Sequence, residues 1–532
     1  MGAWFAVGLR GVRPADLPKE ITAGVTLAAL AIPLNIGYAQ IAGLPPVVGL
    51  YTAIVPMLVF ALFCSSRQLV ASPDAPIAAL IASLLVAIVA TPGTPGYVEL
   101  AYAQALVCAV VFLLFWVFRL GFLANFLSEP VLVGFIGGLA IEILTSQVEK
   151  ILGIKTTAED FFPELWEIVT KIPQANVWSV VVGVGTMAVI LALRRIAPAL
   201  PGPLIALIAA TALVALAGLD VAVLGKVPSG LPSLHWPSIT LAQWAALIPG
   251  AIAICAVTLA DGLLTARRYA EERGYPIDAN QELRAFGLAN IAAGFTQSMT
   301  IGSSASRTAA MDSVGSRSQW PSAVCAVVVA VLLAFFSDVL AYLPNAALAG
   351  IVAVAVVKLI DVPKLRSLWH ERRSEFWIAA LCLVGVPVLG SLTAVVIAFL
   401  LCAVDVVRRA STPSTATLKP GPDGRYVRGS SSGPLAIYRF ESELFFANAD
   451  TFKREIGALD ARWIILDAEA ISDIDTTGAE ALRQTVETLG AKGVVFGIAR
   501  ATADLRGLLD HYGLGDLTYY DSNEAAAAAF NA

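Results

Sequence analysis

The sequence predicts a polytopic α-helical membrane protein that ends in a small soluble α/β domain. Two observations support this fold class. Of 532 residues, 58% are apolar and 14% are charged, with a mean hydropathy of +0.77, whereas soluble domains carry about 25% charged residues. The charge is also uneven, because residues 410–532 hold 11 Lys or Arg and 17 Asp or Glu. The chain therefore divides into a membrane part, 1–409, and an acidic tail.

Apolar segments of about twenty residues, the length that crosses a bilayer, recur throughout the membrane part. Two of these segments, the third and the tenth, are short, and each follows Gly, Ser or Pro residues. Short spans at matching positions of two halves are typical of a transporter site in an inverted repeat, so we predict seven plus seven spans. The fourteen candidates are 21–42, 46–64, 75–90, 100–119, 130–149, 175–193, 203–219, 245–266, 282–298, 304–314, 319–336, 343–360, 374–388 and 389–407.

The distribution of Lys and Arg predicts the orientation. With the N-terminus in the cytoplasm, 19 of these residues in the membrane part fall on the cytoplasmic side and 4 on the outside. Cytoplasmic loops are enriched in Lys and Arg. We therefore expect a multi-pass protein of the inner (plasma) membrane whose N- and C-termini are both cytoplasmic.

The tail alternates between strand-like and helix-like patterns, which predicts a small α/β domain over 435–525. The segment 410–434 is rich in Ser, Thr, Pro and Gly and is predicted to be a linker. The predicted strands are 435–440, 463–467 and 494–498, and the predicted helices are 449–459, 477–489 and 501–512.

Three ionisable residues inside the spans are candidates for function, because charge in a membrane usually faces a cavity or a partner. Asp74 begins the third span, Asp261 lies in the eighth, and Arg307 lies in the tenth. A helix that starts in mid-membrane offers unpaired N–H groups and a positive dipole end. Two such starts that face each other, with the hydroxyls of Ser303, Ser304 and Ser306 and the charge of Arg307, would suit a small oxyanion. Alternatively, Arg307 forms a structural ion pair with Asp261 or Asp74, and the Ser residues only permit close helix packing.

Four segments in order resemble the SulP anion transporters, which include the sulfate permeases, bacterial bicarbonate and dicarboxylate transporters, pendrin and prestin. Residues 38–51 (YAQIAGLPPVVGLY) resemble the family signature, and 275–283 (YPIDANQEL) resemble its segment between spans eight and nine. Residues 304–309 (SASRTA) match its tenth-span motif, and 473–478 (DIDTTG) of the tail resemble a STAS domain.

The resemblance implies a core domain of spans 1–4 and 8–11 and a gate domain of spans 5–7 and 12–14. Substrate would sit between the facing starts of helices 3 and 10, the core would move against the gate like an elevator, and the protein would be a homodimer. The candidate substrate-binding residues are Asp74, Ala75, Ser304, Ala305, Ser306, Arg307, Gln40 and Tyr38.

The sequence departs from the family pattern at three positions. Asp261 stands where relatives often have Glu, and Pro33-Leu34 replaces Pro-Gln, so we expect Asn35 or Gln40 to supply the lost contact. Asp74 places a carboxylate where it would repel an anion unless it is protonated or paired with Arg307. We therefore expect proton symport with Asp74 or Asp261 as the carrier; the competing hypothesis is a sodium ion held at Asp261.

The function expected from the residues and the resemblance is secondary active transport of a small anion, with sulfate as the default substrate. Bicarbonate, chloride and C4-dicarboxylates remain alternatives, with proton or sodium coupling. An alternative of another class is a membrane-anchored STAS scaffold that regulates without transporting. The sequence indicates no enzyme, cofactor, metal site or nucleic-acid partner. In the tail, Thr476 is a candidate for regulation, although Thr476 or Asp475 could simply cap a helix.

Overall fold

A computed structural model describes residues 6–531 with short gaps and forms two compact units, Met1–Leu400 and Leu401–Ala532. The side chain of residue 374 also lies outside the description. The gaps are residues 11, 13–15, 90, 122–128, 159–160, 198–199, 391–392, 395–396, 398–399, 402–403, 405–406, 409, 422–425 and 430–432.

The first unit is helical. Seven of its described helical segments are long and apolar enough to cross a membrane, and four further apolar helices are shorter. The membrane part with an α/β tail is therefore confirmed, while the count of fourteen spans remains a prediction, since 389–407 falls largely outside the described residues. The helices are α1 Leu17–Ile41, α2 Pro46–Thr52, α3 Val55–Phe63, α4 Ala75–Ile88, α5 Pro95–Val117, α6 Glu129–Leu152, α7 Phe161–Lys171, α8 Val177–Ile196, α9 Gly202–Ala217, α10 Leu241–Ala246, α11 Ile248–Arg273, α12 Ala279–Phe295, α13 Ala305–Ser313, α14 Trp320–Phe335, α15 Ser337–Leu340, α16 Asn345–Val356, α17 Val362–Glu371 and α18 Arg373–Leu389.

Helices α4 and α13 are too short to cross a bilayer, with 14 and 9 residues. Each follows a two-residue strand, β1 (Ala71–Ser72) or β2 (Gly302–Ser303), and these strands pair antiparallel. The pairing supplies hydrogen-bond partners to backbone that is not helical and would otherwise lack them inside a membrane. The third and tenth segments thus each consist of a two-residue strand followed by a short helix.

The helices of this unit contact one another in two sets. In the first set, α5 packs on α11 and α12, α3 packs on α12 and α14, and α1 packs on α13 and α14. In the second set, α6 contacts α16 and α18, and α8 contacts α9 and α16. The sets meet where α1 contacts α9 and α16 and where α4 contacts α6. Gly37 permits this approach, because a Cβ there would lie 2.3 Å from Val352 Cγ2 on α16.

The second unit is a six-stranded sheet with helices. Strands β5 to β8 are parallel, and β3 and β4 extend the sheet as an antiparallel edge, in the order β4-β3-β5-β6-β7-β8. The strands are β3 Ser414–Pro420, β4 Tyr426–Arg428, β5 Leu435–Glu441, β6 Trp463–Asp467, β7 Val495–Ala499 and β8 Thr518–Tyr520; the helices are α19 Ala449–Gly457, α20 Thr476–Ala491, α21 Ala503–His511 and α22 Asn523–Asn531.

Two tail predictions are corrected by this sheet. The predicted linker 410–434 contains β3 and β4. Leu418 of β3 is buried in a cluster with Ile437 and Ile465 of the neighbouring strands, and Thr415 donates a hydrogen bond to Glu455. The predicted boundary at residue 525 cuts through α22, which packs Phe530 against Trp463 with ring centroids 5.6 Å apart.

A buried carboxylate ties the ends of the strands to the last helix. Asp467, at the end of β6, is fully buried, and its Oδ2 accepts from Arg439 Nε at 3.0 Å and Nη2 at 2.7 Å. The same oxygen accepts from Asn523 Nδ2 at 2.9 Å. Asp467 therefore joins β5, β6 and α22.

Replacing Asp467 with Ala should lower the free energy of unfolding of residues 401–532 by about 3 kcal/mol. This is near the low end for a broken buried pair, because Arg439 still reaches Glu469 at 3.3 Å. Urea denaturation followed by circular dichroism measures the loss, and Asp450→Ala is the control because that side chain is 96% exposed. Equal urea midpoints for the two variants would contradict a stabilising role for the hydrogen bonds of Asp467.

Candidate functional site

The pairing of β1 with β2 brings the starts of α4 and α13 together. The backbone N–H of Ser304 donates to the carbonyl of Val70 at 3.0 Å. In return, the N–H of Val70 donates to the Thr308 hydroxyl at 2.9 Å, and that hydroxyl donates to the carbonyl of Ser304 at 2.8 Å. The first turn of α13 is therefore fixed against the residue that leads into β1.

Buried amide side chains hold the rest of the non-helical backbone. The side-chain amide of Asn290, on α12, forms two hydrogen bonds with the backbone of Ile301. It accepts from the N–H at 3.0 Å and donates to the carbonyl at 3.1 Å. Gln319 donates to the carbonyl of Leu69 at 2.8 Å. Each of these residues satisfies backbone groups that the interrupted helices leave unpaired.

A cavity of about 70 Å³ lies where the two helix starts meet. A single water needs roughly 10–15 Å³ on this measure, so the cavity has room for a small ion. Its wall includes residues from both helix sets. The lining residues are Asp74, Pro76, Ile77, Ile136, Val257, Thr258, Asp261, Ser303, Ala305, Ser306 and Leu359.

The two helix starts differ in charge. At α4, Asp74 is the N-cap, and its Oδ1 accepts from the N–H of Ala75 at 2.8 Å. At α13, the N-cap is Ser304, whose side chain caps none of the described N–H groups. A helix start carries a positive partial charge and unpaired donors. The α13 end thus remains available to an anion, while the α4 end already holds a carboxylate.

A second carboxylate approaches the cavity from α11. Asp261 Oδ2 accepts from the Ser303 hydroxyl at 2.5 Å. One turn earlier, the buried Thr258 hydroxyl has no hydrogen-bond partner among the described residues. Three side-chain oxygen groups of α11 and β2 therefore lie beside the start of α13.

Arg307 lies behind the cavity rather than in its wall. The side chain is 1% exposed, and its Nη1 donates to the Ser72 hydroxyl and, at 2.8 Å, to the carbonyl of Pro73. Its guanidinium carbon is 5.5 Å from the centre of the Tyr38 ring. Within the described residues, Nε and Nη2 lack acceptors. The positive charge of Arg307 is therefore buried against Pro73, the residue that precedes Asp74 in the sequence.

The structure separates the sequence candidates into three groups. Asp74, Asp261, Ala305 and Ser306 line the cavity. Ala75, Ser304, Arg307 and Tyr38 lie immediately behind it, as hydrogen bonds or ring contacts to the same segments indicate. Gln40 is elsewhere, because it donates to Asn345 of α16 at 3.3 Å.

Two expectations about side-chain contacts are corrected. The direct ion pair of Arg307 with Asp261 or Asp74 is not seen, since the described carboxylates all lie more than 4.0 Å from its nitrogens. Neither proposed replacement for the missing Gln reaches the cavity wall. Asn35 instead donates to the carbonyl of Gly49 at 3.1 Å and accepts from Ser72.

Several lining residues were missed from the sequence. Thr258 could have been found, because it precedes Asp261 by three residues and so shares its helix face. Ile136 and Leu359 come from the second helix set and look like ordinary apolar span residues. Their position depends on how the two sets pack, which the sequence pattern does not encode.

In the tail, the helix cap is Asp475. Its Oδ1 accepts from the N–H of Gly478 at 2.7 Å, and its Oδ2 accepts from the N–H of Phe446 at 3.0 Å. Thr476 is the first residue of α20, and its side chain is exposed. The capping role thus belongs to Asp475, and the Thr476 hydroxyl faces solvent.

The sequence of this chain is similar to family profiles and to known proteins over most of its length. The profile of the sulfate permease family matches residues 17–382, and that of the STAS domain matches residues 430–527. Two probable sulfate transporters from strains of Mycobacterium tuberculosis are 38% identical over 506 residues, which is 92% of this chain and 90% of each relative. Sulfate transporter 3.1 of Arabidopsis thaliana is 30% identical over 503 residues, covering 86% and 76% of the two chains.

Solved structures share the fold. Murine Solute Carrier 26 family member A9, an anion transporter in the inward-facing state, has a TM-score of 0.89 at 21% identity, with 98% of this chain and 93% of that chain covered. The transmembrane domain of the cyanobacterial bicarbonate transporter BicA has a TM-score of 0.65 at 22% identity, with 72% and 98% covered.

Replacing Gly302 with Ala should close part of the cavity. The added Cβ would lie 2.0 Å from Ile77 Cδ1 and 3.1 Å from the Thr258 hydroxyl, so the Ile77 side chain must move. Overpacking of this kind costs about 1–3 kcal/mol of folding stability, and the lost cavity volume should weaken anion binding by about tenfold, which is about 1.4 kcal/mol. Equilibrium binding of radiolabelled sulfate measures the effect.

The matched control for this variant is Gly185→Ala in α8, where no described atom lies within 4 Å of the added Cβ. That variant should bind the anion as the unmodified protein does. Equal affinities for the two alanine variants would contradict the placement of the cavity.

Proposed function

This chain belongs to the sulfate permease family, and we propose that it is a secondary active transporter that carries sulfate or a related small anion by elevator-type alternating access. The observation that carries the proposal is the cavity at the open start of α13, with a buried guanidinium behind it. Backbone N–H groups at a helix start bind oxyanions without a dedicated side chain. The volume of about 70 Å³ favours a compact inorganic anion over an extended C4-dicarboxylate.

Coupling to protons follows from the two carboxylates in the wall. With Asp74 and Asp261 both ionised, a divalent anion would meet two negative charges at close range. The single charge of Arg307 cannot neutralise both. Protonation of one carboxylate as the anion binds would remove this repulsion, which makes Asp74 or Asp261 the proton carrier of a symporter.

Sodium is the second candidate for the coupling ion. The observation in its favour is the group of oxygens at Asp261, Ser303 and the unpartnered Thr258 hydroxyl. Hard cations bind carboxylate and hydroxyl oxygens. A bound sodium ion would neutralise Asp261 in the way that a proton would.

The two helix sets suggest which part moves. We assign the set of α1–α5 and α11–α14 as the core that carries the cavity, and the set of α6–α9 and α16–α18 as the gate. The Gln40–Asn345 hydrogen bond and the packing of Gly37 on Val352 join the core to the gate near the carboxyl end of α1. The positive-inside bias places that end outside the cell, so these contacts would close the external side.

The proposal also includes the setting of the chain. We place it in the inner membrane as a homodimer with both termini in the cytoplasm, where the tail would regulate or assemble the transporter through surfaces such as Thr476. The alternative of a membrane-anchored scaffold without transport is tested by the same flux assay, because a scaffold would move no anion.

Replacing Asp74 with Asn should uncouple transport from protons if Asp74 is the carrier. Asn keeps an acceptor for the Ala75 N–H, so α4 should still begin at the same residue. Uptake of labelled sulfate into proteoliposomes should lose its response to an imposed proton gradient, with accumulation reduced by about tenfold or more. Separate proton and sodium gradients identify the coupling ion.

The Asp261→Asn variant is tested in the same assay as Asp74→Asn. The control is Asp278→Asn, because Asp278 also caps a helix but lies outside the cavity wall. Uptake that still responds to the proton gradient in both cavity variants would refute Asp74 and Asp261 as proton carriers, and uptake by the unmodified protein that ignores the proton gradient would refute proton coupling itself. A response to sodium that is lost only in Asp261→Asn would support the second candidate.

Crosslinking Gln40→Cys to Asn345→Cys should stop transport if the core moves against the gate. The five cysteines among the described residues are all buried, so a short cleavable bis-thiosulfonate reagent should react mainly at the new pair. Sulfate flux should fall to background and recover when a reductant cleaves the bridge. Each single-cysteine variant serves as a control, and full flux in the crosslinked protein would rule out the elevator movement.

A further inference from the structure

A second cleft opens on the side of the membrane that carries the N-terminus. It has a volume of about 620 Å³. Its walls come from the first turns of α1, from the turn between α8 and α9, and from the last turns of α13. The residues that define these walls are Thr22, Thr26, Arg194, Gly202, Ala310 and Ser313. The positive-inside bias assigns this side to the cytoplasm.

The cleft continues the face of α13 that lines the central cavity. Ser306 lines the cavity, and Ala310 and Ser313, four and seven residues later, line the cleft. Residues at these spacings share a helix face, and the rise of 1.5 Å per residue puts Ser313 about 10 Å from Ser306 along the axis. Ser306 and Ser313 are both exposed, so one helix face leads from the cleft to the anion cavity.

Arg194 is the charged side chain in this cleft, among the described residues of its lining. It is exposed, and none of the described carboxylates forms an ion pair with it. Asp312, the acidic residue of α13, instead pairs with Arg273 through two hydrogen bonds of 2.9 Å and 2.6 Å. The cleft therefore presents an uncompensated positive charge.

We propose that Arg194 forms a cytoplasmic access site for inorganic oxyanions, separate from the central cavity. This inference rests on the proposed transport function. The site would raise the local concentration of the anion at the cytoplasmic mouth and hold it weakly before it enters or after it leaves the cavity. Its action would be confined to the cytoplasmic face and would weaken as salt screens the charge.

A purely structural role for Arg194 predicts a different pattern. Arg194 and Arg195 both lie in the last turn of α8, where a cation stabilises the negative end of the helix dipole. Arg195 does not line the cleft. Arg195→Gln therefore matches Arg194→Gln in charge and in helix position, and differs from it in access to the cleft.

The test compares sulfate transport from the two faces of the membrane. In inside-out vesicles, Arg194→Gln should raise the KM for sulfate about fivefold, leave kcat unchanged, and flatten the dependence of KM on ionic strength. In right-side-out vesicles, the KM should stay as in the unmodified protein. Arg194→Lys should keep most of the salt dependence, because it keeps the positive charge at this position.

Two results would overturn the access site. One is an equal KM for Arg194→Gln and Arg195→Gln in inside-out vesicles; the other is an equal rise in KM on both faces. These failures leave transport itself intact. Absence of flux of sulfate, bicarbonate and succinate by the unmodified protein would instead refute the proposed function, and the access site with it.

Discussion

The antiparallel pairing of Ala71 and Ser72 with Ser303 and Gly302 is the constraint on which the site depends. It allows two helices to begin in mid-membrane, because the strands satisfy backbone groups that lipid cannot. The side chain of Arg307, on α13, donates to the carbonyl of Pro73, the residue that follows β1. One guanidinium thus fastens the pair and places a positive charge behind the cavity. The meeting of the two helix starts at the cavity, with Asp74 at one of them and Asp261 bonded to Ser303, follows from this junction.

The sequence predicted the parts of this junction but not all of their contacts. The short third and tenth spans were visible from their lengths and from the Ser, Gly and Pro residues before them, and Asp74, Asp261, Ala305 and Ser306 do line one cavity. Gln40 was misplaced, because its partner, Asn345, lies 305 residues away in the other helix set. Hydropathy defines helices one at a time, whereas such contacts depend on how the sets pack.

The tail shows the same division between local pattern and packing. Its buried strands and amphipathic helices were predicted within a few residues. Strand β3 lies in the segment predicted to be a linker, because Ser, Thr and Pro are typical of loops, although Thr is also favourable in strands. The last helix was missed because Ala525–Ala529 carries no amphipathic period, and its place depends on Asn523 reaching Asp467.

The polar groups of the cavity wall, which are the helix ends and the carboxylates, all come from the first helix set, whereas the second helix set contributes only the apolar residues Ile136 and Leu359. The groups that can bind charge and these two apolar side chains therefore belong to different helix sets. A change of bulk at Ile136 or Leu359 would retune which anion fits without disturbing the groups that bind it. Paralogues with this architecture can diverge in ion preference through residues that never touch a proton or a charge.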